Sequence, residues 1–110
     1  MQLTDCVMLM TTVPETHADL VRDAIGRAGA GKIGDYSYCS FSVTGVGRFM
    51  PDTKANPFIG TSGVLEKVIE ERIEVPCSRS ILKEVIEALR KAHPYEQPMI
   101  VVLPCMPLDM

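Results

Sequence analysis

A chain of 110 residues, 46% of them hydrophobic and 23% charged, has the size and composition of one globular domain. Its net charge of −3 argues against a nucleic-acid binder, because such proteins present a basic face to the phosphates. No apolar run approaches the roughly 20 residues of a membrane span, and the N-terminus lacks the pattern of a signal peptide. We therefore predict a single domain over residues 1–110, in the cytoplasm and with reduced cysteines.

The first predicted elements are a strand and a helix. Residues 3–13 are apolar on both faces, which is typical of a central strand covered on both sides. Pro14 ends this strand. Residues 15–28 repeat apolar positions every three or four residues, as an amphipathic helix does. Gly29 and Gly31 then supply the backbone freedom with which a helix ends.

A second strand and a long loop follow. Residues 36–44 alternate in polarity and place Cys39 and Phe41 on the same face. Residues 44–49 contain two glycines and predict either a kinked continuation of the strand or a hairpin. Residues 50–63 have no period. An irregular segment of that length in a small domain is usually functional or mobile.

The last part of the chain predicts a strand, a helix and a strand. Residues 64–75 form a long strand with an apolar and a charged face. Ser78 is a typical N-cap for a helix that runs to residue 92, and Pro94 closes that helix. Residues 98–103 form a strand that is again apolar on both faces.

The order β-α-β-β-α-β predicts an α+β fold, the ferredoxin-like sandwich, with two helices on one face of a four-stranded antiparallel sheet. The other face would be open in a monomer, yet the first and last strands offer it apolar residues. We therefore expect the open faces to pack together in an oligomer. The charged row of the third strand would lie near that contact and would need mutual pairing there. This row comprises Glu66, Glu70, Arg72 and Glu74.

Seven segments occur in an order that resembles one known family. They are Val13-Pro14 with His17, residues 28–34 (AGAGKIG), Tyr38-Cys39-Ser40-Phe41, residues 45–49 (GVGRF), residues 56–60 (NPFIG), Glu71-Arg72-Ile73-Glu74, and His93-Pro94-Tyr95-Glu96. Together they resemble the domain inserted in the bacterial Nif-three-like proteins of the YqfO type. That domain is similar to the PII signalling proteins and to CutA, which are ferredoxin-like trimers. The resemblance implies a PII/CutA-like homotrimer without the flanking lobes that carry a dinuclear metal site in full-length Nif-three-like proteins, so their hydrolase label does not transfer.

A metal site is one interpretation of the turn after the second helix. His93 at a helix C-terminus would favour its protonated form, and Glu96 can turn back towards it. A histidine with a carboxylate is a start for a divalent-metal site, to which Cys39 would add a soft ligand. The alternative is structural: His93 caps the helix, Cys39 is a small buried hydrophobe, and His17 is structural as well. Gln97, where the family more often has a second glutamate, weakens the metal interpretation.

The glycine-bearing segments favour a ligand site instead. Free backbone N–H groups beside cations bind anions, and the long connection of PII-like trimers reaches over a cleft between subunits. The candidate ligand-binding residues are Gly45, Gly47, Arg48, Asn56, Gly60 and Tyr95, with Lys54 in the same loop. The alternative is a loop that only contacts a neighbouring subunit.

These observations predict a homotrimeric module that binds a small anionic ligand or a metal ion, with no nucleic-acid or membrane partner. No cofactor is identified. No nucleophile motif accompanies either histidine, so we predict no enzymatic activity. Two alternatives stay open: a CutA-like metal-handling protein that uses His93 and Glu96, and an interaction domain that acts in trans on a partner protein.

Overall fold

A computed structural model describes residues 5–106 and shows the predicted order of elements. Leu3, at the predicted start of the first strand, and Pro107 lie outside the described range. No helix within it is long and apolar enough to cross a membrane. The elements are β1 (Cys6–Pro14), α1 (Ala18–Arg27), β2 (Phe41–Phe49), β3 (Glu66–Ser78), α2 (Leu82–Ala92) and β4 (Ile100–Pro104).

The four strands form one antiparallel sheet in the order β2-β3-β1-β4, and both helices cover the same face. This is the predicted ferredoxin-like sandwich. Val7 and Leu9 of β1 point into the core between sheet and helices, where Val85 and Leu89 of α2 are also fully buried. Apolar positions spaced by two on the strand and by four on the helix converge there, so the core follows directly from the sequence pattern.

No helix or second sheet of the described chain covers the opposite face of the sheet. Met8 and Met10 of β1 lie on it half-buried. Phe41 of β2 is 62% exposed and Leu103 of β4 is 51% exposed. Their partners in the register confirm that all four belong to one face, because directly opposed residues of paired strands point the same way. The sequence-based expectation of an apolar open face is therefore met.

Strands β2 and β3 continue beyond the helices as a two-stranded ribbon. Residues 45–49 pair with residues 66–70, so the glycine segment continues β2, and the hairpin alternative is wrong. The molecule accordingly measures 50 × 24 × 23 Å. Ile69, on the helix-side face of β3, is exposed because the ribbon extends past the core. The connection between the two strands spans residues 50–65.

The segment before β2 differs from the prediction. The strand begins at Phe41 rather than at residue 36. Tyr38 has a φ of 59°, which breaks an extended chain, and the N–H of Cys39 donates to the carbonyl of Gly31 at 2.8 Å. Cys39 therefore lies in a turn rather than on a strand face with Phe41, and it is half-buried beside Arg22 and Gly26 of α1.

Each helix is preceded by a single 3-10 turn, and neither start has a side-chain cap. Ser78 stands at the predicted N-terminal position, but its hydroxyl pairs with that of Ser80 at 2.9 Å rather than with a backbone N–H. The capping prediction was thus right in position and wrong in mechanism. Arg22 holds α1 to the sheet instead, because its guanidinium donates to Glu71 at 2.6 Å and to Ser42 at 3.0 Å.

Candidate ligand-binding cleft

A large cleft of about 1060 Å³ opens on the side of the sheet that the helices leave uncovered. The end of β2, the turn after α2 and residues 50–59 of the long connection, except Thr53 and the predicted ligand-binding residue Asn56, form its walls. It contains four of the predicted ligand-binding residues, Gly45, Gly47, Arg48 and Tyr95, and one predicted metal ligand, Glu96. The cleft extends across the sheet from the edge strand β2, over Glu70 and Arg72 of β3 and Thr12 of β1, to the residues that precede β4.

A buried carboxylate lies in this cleft. Glu70 of β3 is only 7% exposed, although it belongs to the charged row. The hydroxyl of Tyr95 donates to its Oε2 at 2.8 Å, and none of the ion pairs among residues 5–106 involves it. Ion pairs were expected among the residues of the charged row. Arg72 and Glu74 form one, a long one with 3.7 Å between Nε and Oε1. For Glu70 the expectation is wrong, since its observed partner is a phenol.

Gly47 leaves the space that Glu70 occupies. The two residues stand near each other across β2 and β3, and a Cβ atom at position 47 would overlap the Glu70 carboxylate. At Gly45 the same added atom would meet nothing within 4 Å. Only the second glycine of this segment is therefore required by close approach, a distinction that the sequence alone does not make.

Two contacts fix the long connection over the cleft. The backbone N–H of Asn56 donates to Oε1 of Glu96 at 3.2 Å, which ties the loop to the turn after α2. Phe58 meets the ring of His17 edge-on, with ring centroids 5.4 Å apart, which ties the loop to the start of the first helical segment. Asn56 thus acts through its backbone, and Glu96 binds the loop rather than His93.

The charges of the cleft leave its cations available. Arg48, Lys54 and Arg72 line it, and the first two make no ion pair within the described chain. The lining acids are Asp52, Glu70 and Glu96, and the last two already accept hydrogen bonds. Phe49, Phe58 and Tyr95 add aromatic surface to the same walls. This combination suits an anion that carries an apolar or aromatic body.

Gly60 does not line the cleft. It lies at the base of the connection with a φ of 102°, close to Phe49 and Pro51. Its conformation shapes the loop, while the cleft wall itself comes from residues 50–59. Its role as a ligand-binding residue therefore has only indirect support.

His93 is a buried structural histidine in this chain. It is 5% exposed. Its Nε2 lies 2.7 Å from the carbonyl oxygen of Thr12, and its Nδ1 accepts the N–H of Tyr95 at 3.1 Å. These partners select the neutral tautomer with the proton on Nε2. Burial lowers the pKa of His93 more than the hydrogen bond to Thr12 and the nearby Glu70 raise it, so the expectation that the protonated form is favoured is wrong.

The predicted metal ligands do not converge. Both ring nitrogens of His93 are engaged within the chain, Glu96 accepts from Asn56, and Cys39 lines a separate small pocket against α1. Within residues 5–106 no group of three His, Cys, Asp or Glu side chains is placed to hold a metal ion.

Acidification is expected to destabilise the protein through His93. Because burial lowers its folded-state pKa, the unfolded chain takes up the proton more readily once the pH falls below the ordinary value of about 6.5. The stabilisation present above that pH is lost as the pH falls further. Urea titrations at a series of pH values should give a smaller pH slope for His93→Gln, whose amide can still donate to Thr12. Equal slopes for both proteins would contradict this assignment.

Tyr95 is expected to stabilise the fold at neutral pH and to lose that effect in alkali. Burial, with the hydrogen bond to Glu70, raises the pKa of Tyr95 above its ordinary value of 10, so the unfolded chain deprotonates first as the pH rises. Tyr95→Phe should cost about 1–3 kcal/mol at pH 7, because it leaves the Glu70 carboxylate without its donor. The deficit should shrink above pH 10. Tyr36→Phe, at a position 75% exposed, is the matched control and should change stability little.

The sequence interpretation missed Glu70 and Arg72 as cleft residues. Both had been assigned to the subunit contact because they share the charged face of β3. The alternation of side chains along the strands could have shown this. Gly45 and Gly47 pair with residues 70 and 68, and directly paired residues lie on the same face of the sheet. That pairing register depends on the length of the connection, which the pattern of residues 50–65 does not reveal.

The fold is that of a PII/CutA-like domain. CutA1 from Shewanella sp. SIB1 superposes with a TM-score of 0.70 at 15% identity, over 96% of this chain and 85% of that chain. CutA from Synechococcus elongatus superposes with a TM-score of 0.66 at 20% identity, over 94% of this chain and 80% of that one. At these identities the likeness establishes the fold alone.

A nearer relationship places the domain within one family of proteins. A Bacillus cereus protein related to NIF3 matches 94% of this chain at 40% identity and a TM-score of 0.79, over 28% of its own length. The GTP cyclohydrolase 1 type 2 homologs of Halalkalibacterium halodurans and Bacillus subtilis are 51% and 49% identical over 82% and 81% of this chain. No family model matches the sequence. The chain is thus a relative of one domain of the NIF3-related proteins, and it spans about a quarter of the length of these curated relatives.

Proposed function

We propose that this chain is a homotrimeric binding module that holds a small anionic ligand in the cleft beneath the long connection. The observation that supports it best is the cleft itself, about 1060 Å³ in volume, in which Arg48 and Lys54 have no ion-pair partner among residues 5–106. A cavity of that size exceeds what a simple inorganic anion fills. The aromatic side chains of the walls would receive the apolar part of the ligand.

The proposal is for binding rather than catalysis. Two carboxylates of the cleft already have hydrogen-bond donors within the chain, in the pairs Tyr95–Glu70 and Asn56–Glu96. The raised pKa of Tyr95 makes the phenol a poor general base near neutral pH. The name of the full-length relatives refers to proteins about four times as long, and their activity is not proposed for this chain.

A fragment comparison would test the ligand class. Phenyl phosphate, inorganic phosphate and benzyl alcohol are titrated into isotope-labelled protein, and amide shifts are followed by NMR. Phenyl phosphate should shift the amides of Gly47 and residues 52–55 more strongly than either other compound. Arg48→Gln should weaken that binding several-fold, whereas Arg79→Gln, far from the cleft, should not. Equal binding of benzyl alcohol, or no effect of Arg48→Gln, would contradict the anion site.

The trimer is proposed from the uncovered sheet face. Phe41 and Leu103 are more than half exposed there, beside the half-buried Met8 and Met10. Apolar side chains this exposed on the uncovered sheet face of a small domain are usually part of an interface. Sedimentation equilibrium should give three times the 12.1 kDa chain mass, and Phe41→Glu should yield a smaller species, whereas Leu20→Glu on the exposed side of α1 should not. A wild-type monomer at micromolar concentration would refute this part.

The metal-handling alternative has weaker support, since His93 and Glu96 already have partners in the chain. Titration with copper, zinc and nickel on wild type and His93→Gln would test it directly. Saturable binding that His93→Gln abolishes, while the variant remains folded, would favour this alternative over the anion site.

A further inference from the structure

Two cysteines that are distant in sequence meet at the edge of the sheet. The Sγ atoms of Cys6 and Cys105 are 3.1 Å apart, and the Cys105 thiol donates to that of Cys6. Their spacing along the chain gives no hint of this contact. In the structure Val7 pairs with Pro104 across β1 and β4, so Cys6 and Cys105 are the next directly opposed residues. The N–H of Cys105 donates to the carbonyl of Cys6 at 3.2 Å.

This geometry is close to that of a disulfide. Directly opposed residues of antiparallel strands have Cα atoms about 4.5–5.5 Å apart, which lies inside the range of about 4.4–6.8 Å for bridged cysteines. The sulfur atoms need to approach by about 1 Å to reach the bond length of about 2.05 Å. Small side-chain rotations provide such a movement while the strands keep their pairing.

We propose that Cys6 and Cys105 are a redox-sensitive pair that closes to an intramolecular disulfide in the presence of a disulfide oxidant such as oxidised glutathione. In a reducing compartment the two thiols stay reduced, as they are in this structure. Oxidation then links the end of β4 covalently to the start of β1. The inference does not depend on the cleft or on its ligand.

The exposure of the two thiols sets the order of the reaction. Cys6 is buried, and burial raises the pKa of its thiol, so it is the poorer first nucleophile. Cys105 is half-exposed. Its thiolate attacks one sulfur of oxidised glutathione, forms a mixed disulfide and releases one glutathione thiolate, which takes the proton of Cys6. The Cys6 thiolate then attacks the Cys105 sulfur and releases the second glutathione. Two protein thiols are oxidised and one glutathione disulfide is reduced to two thiols.

The remaining cysteines are excluded as partners by their positions. Cys77 is directly opposed to Val7, so its side chain points to the helix face, whereas that of Cys6 points to the other face. Cys39 lies in the turn against α1. Cys6 and Cys105 are therefore expected to pair only with each other. Cys77 and Cys39 serve as the matched controls.

The test equilibrates the full chain in glutathione buffers of increasing oxidised fraction. Free thiols are alkylated, and the disulfide is located by peptide mass spectrometry. Wild type, Cys77→Ser and Cys39→Ser should each lose two thiols and yield one intramolecular linkage between residues 6 and 105. Cys6→Ser and Cys105→Ser should not form it. Peptide mapping of the wild type decides the pairing even where a variant folds poorly.

The oxidised chain should also unfold at a higher temperature. The linkage closes a loop of about 100 residues and so restricts the unfolded chain strongly. For a domain of this size, the midpoint should rise by at least about 5 °C, and dithiothreitol should reverse the rise. A linkage that involves Cys77 or Cys39, a linkage between two chains, or four free thiols in a large excess of oxidised glutathione would overturn the proposal.

Discussion

Replacing Gly31 by alanine is expected to cost about 2–4 kcal/mol of the free energy of unfolding. Gly31 has a φ of 84°, where an L side chain is strained. An added Cβ would also lie 2.6 Å from the carbonyl oxygen and 2.8 Å from the nitrogen of Cys39. Those are backbone atoms in a buried turn, held by hydrogen bonds from Gly31 to Pro76 and from Cys39 to Gly31, so they have little room to shift.

Gly34 is the matched control for this substitution. It also has a positive φ, of 55°, but an added Cβ there would meet nothing within 4 Å. Gly34→Ala should therefore cost only the backbone strain, about 1–2 kcal/mol. Urea unfolding monitored by circular dichroism measures both costs. Equal destabilisation by the two variants would show that strain alone, and not the close approach of residue 39, makes Gly31 necessary.

Replacing Gly47 by alanine is expected to disrupt the cleft. The new methyl group would overlap the Glu70 carboxylate. The carboxylate must then turn away from the Tyr95 hydroxyl, whose hydrogen bond it accepts in the wild type. Displacing a buried carboxylate from its donor costs about 1–3 kcal/mol. The displaced carboxylate would keep its negative charge within the cleft, so binding of phenyl phosphate should weaken at least several-fold.

Gly45 tests whether this effect is specific. It lies on the same face of the same strand, and an added Cβ there meets nothing within 4 Å. Gly45→Ala should leave stability unchanged or raise it by about 0.5 kcal/mol, because glycine is unfavourable in a strand. Chemical denaturation and the NMR titration should separate the two variants. If Gly47→Ala keeps both its stability and the Tyr95–Glu70 contact, the close approach has no structural importance.

Local pattern was enough to predict the architecture. The period of two in β1, the stripe of α2 and the proline at position 94 depend only on neighbouring residues, so the element order and the core follow from them. Residues 36–40 show where this reasoning ends. Their alternation of polar and apolar residues is typical of a strand. The hydrogen bond from Cys39 to Gly31 places Cys39 in a turn instead, and this contact joins two separate segments of the chain.

The cleft shows the same division. Gly47, Arg48 and Tyr95 were predicted from glycines, cations and the turn motif, and the structure brings them together. Glu70 was assigned to the wrong neighbours, since a carboxylate in a charged row gives no sign that a tyrosine 25 residues later donates to it. The protonation of His93 was predicted from its helix end alone, whereas the burial of the ring and the N–H that Tyr95 donates to Nδ1 favour the neutral form.

The sequence by itself thus determined the class of fold, the apolar character of both faces of the first and last strands, and the family relationship, which follows from the seven segments in their order. These properties depend on side-chain period and composition, which are local. Only the tertiary structure decided which glycine faces a carboxylate, which histidine nitrogen holds the proton and which two of the four cysteines meet. The glycine and cysteine contacts depend on strand register, because a shift of one residue along β2 or β4 would exchange every facing pair. The histidine tautomer depends on the burial and the hydrogen bonds around the ring.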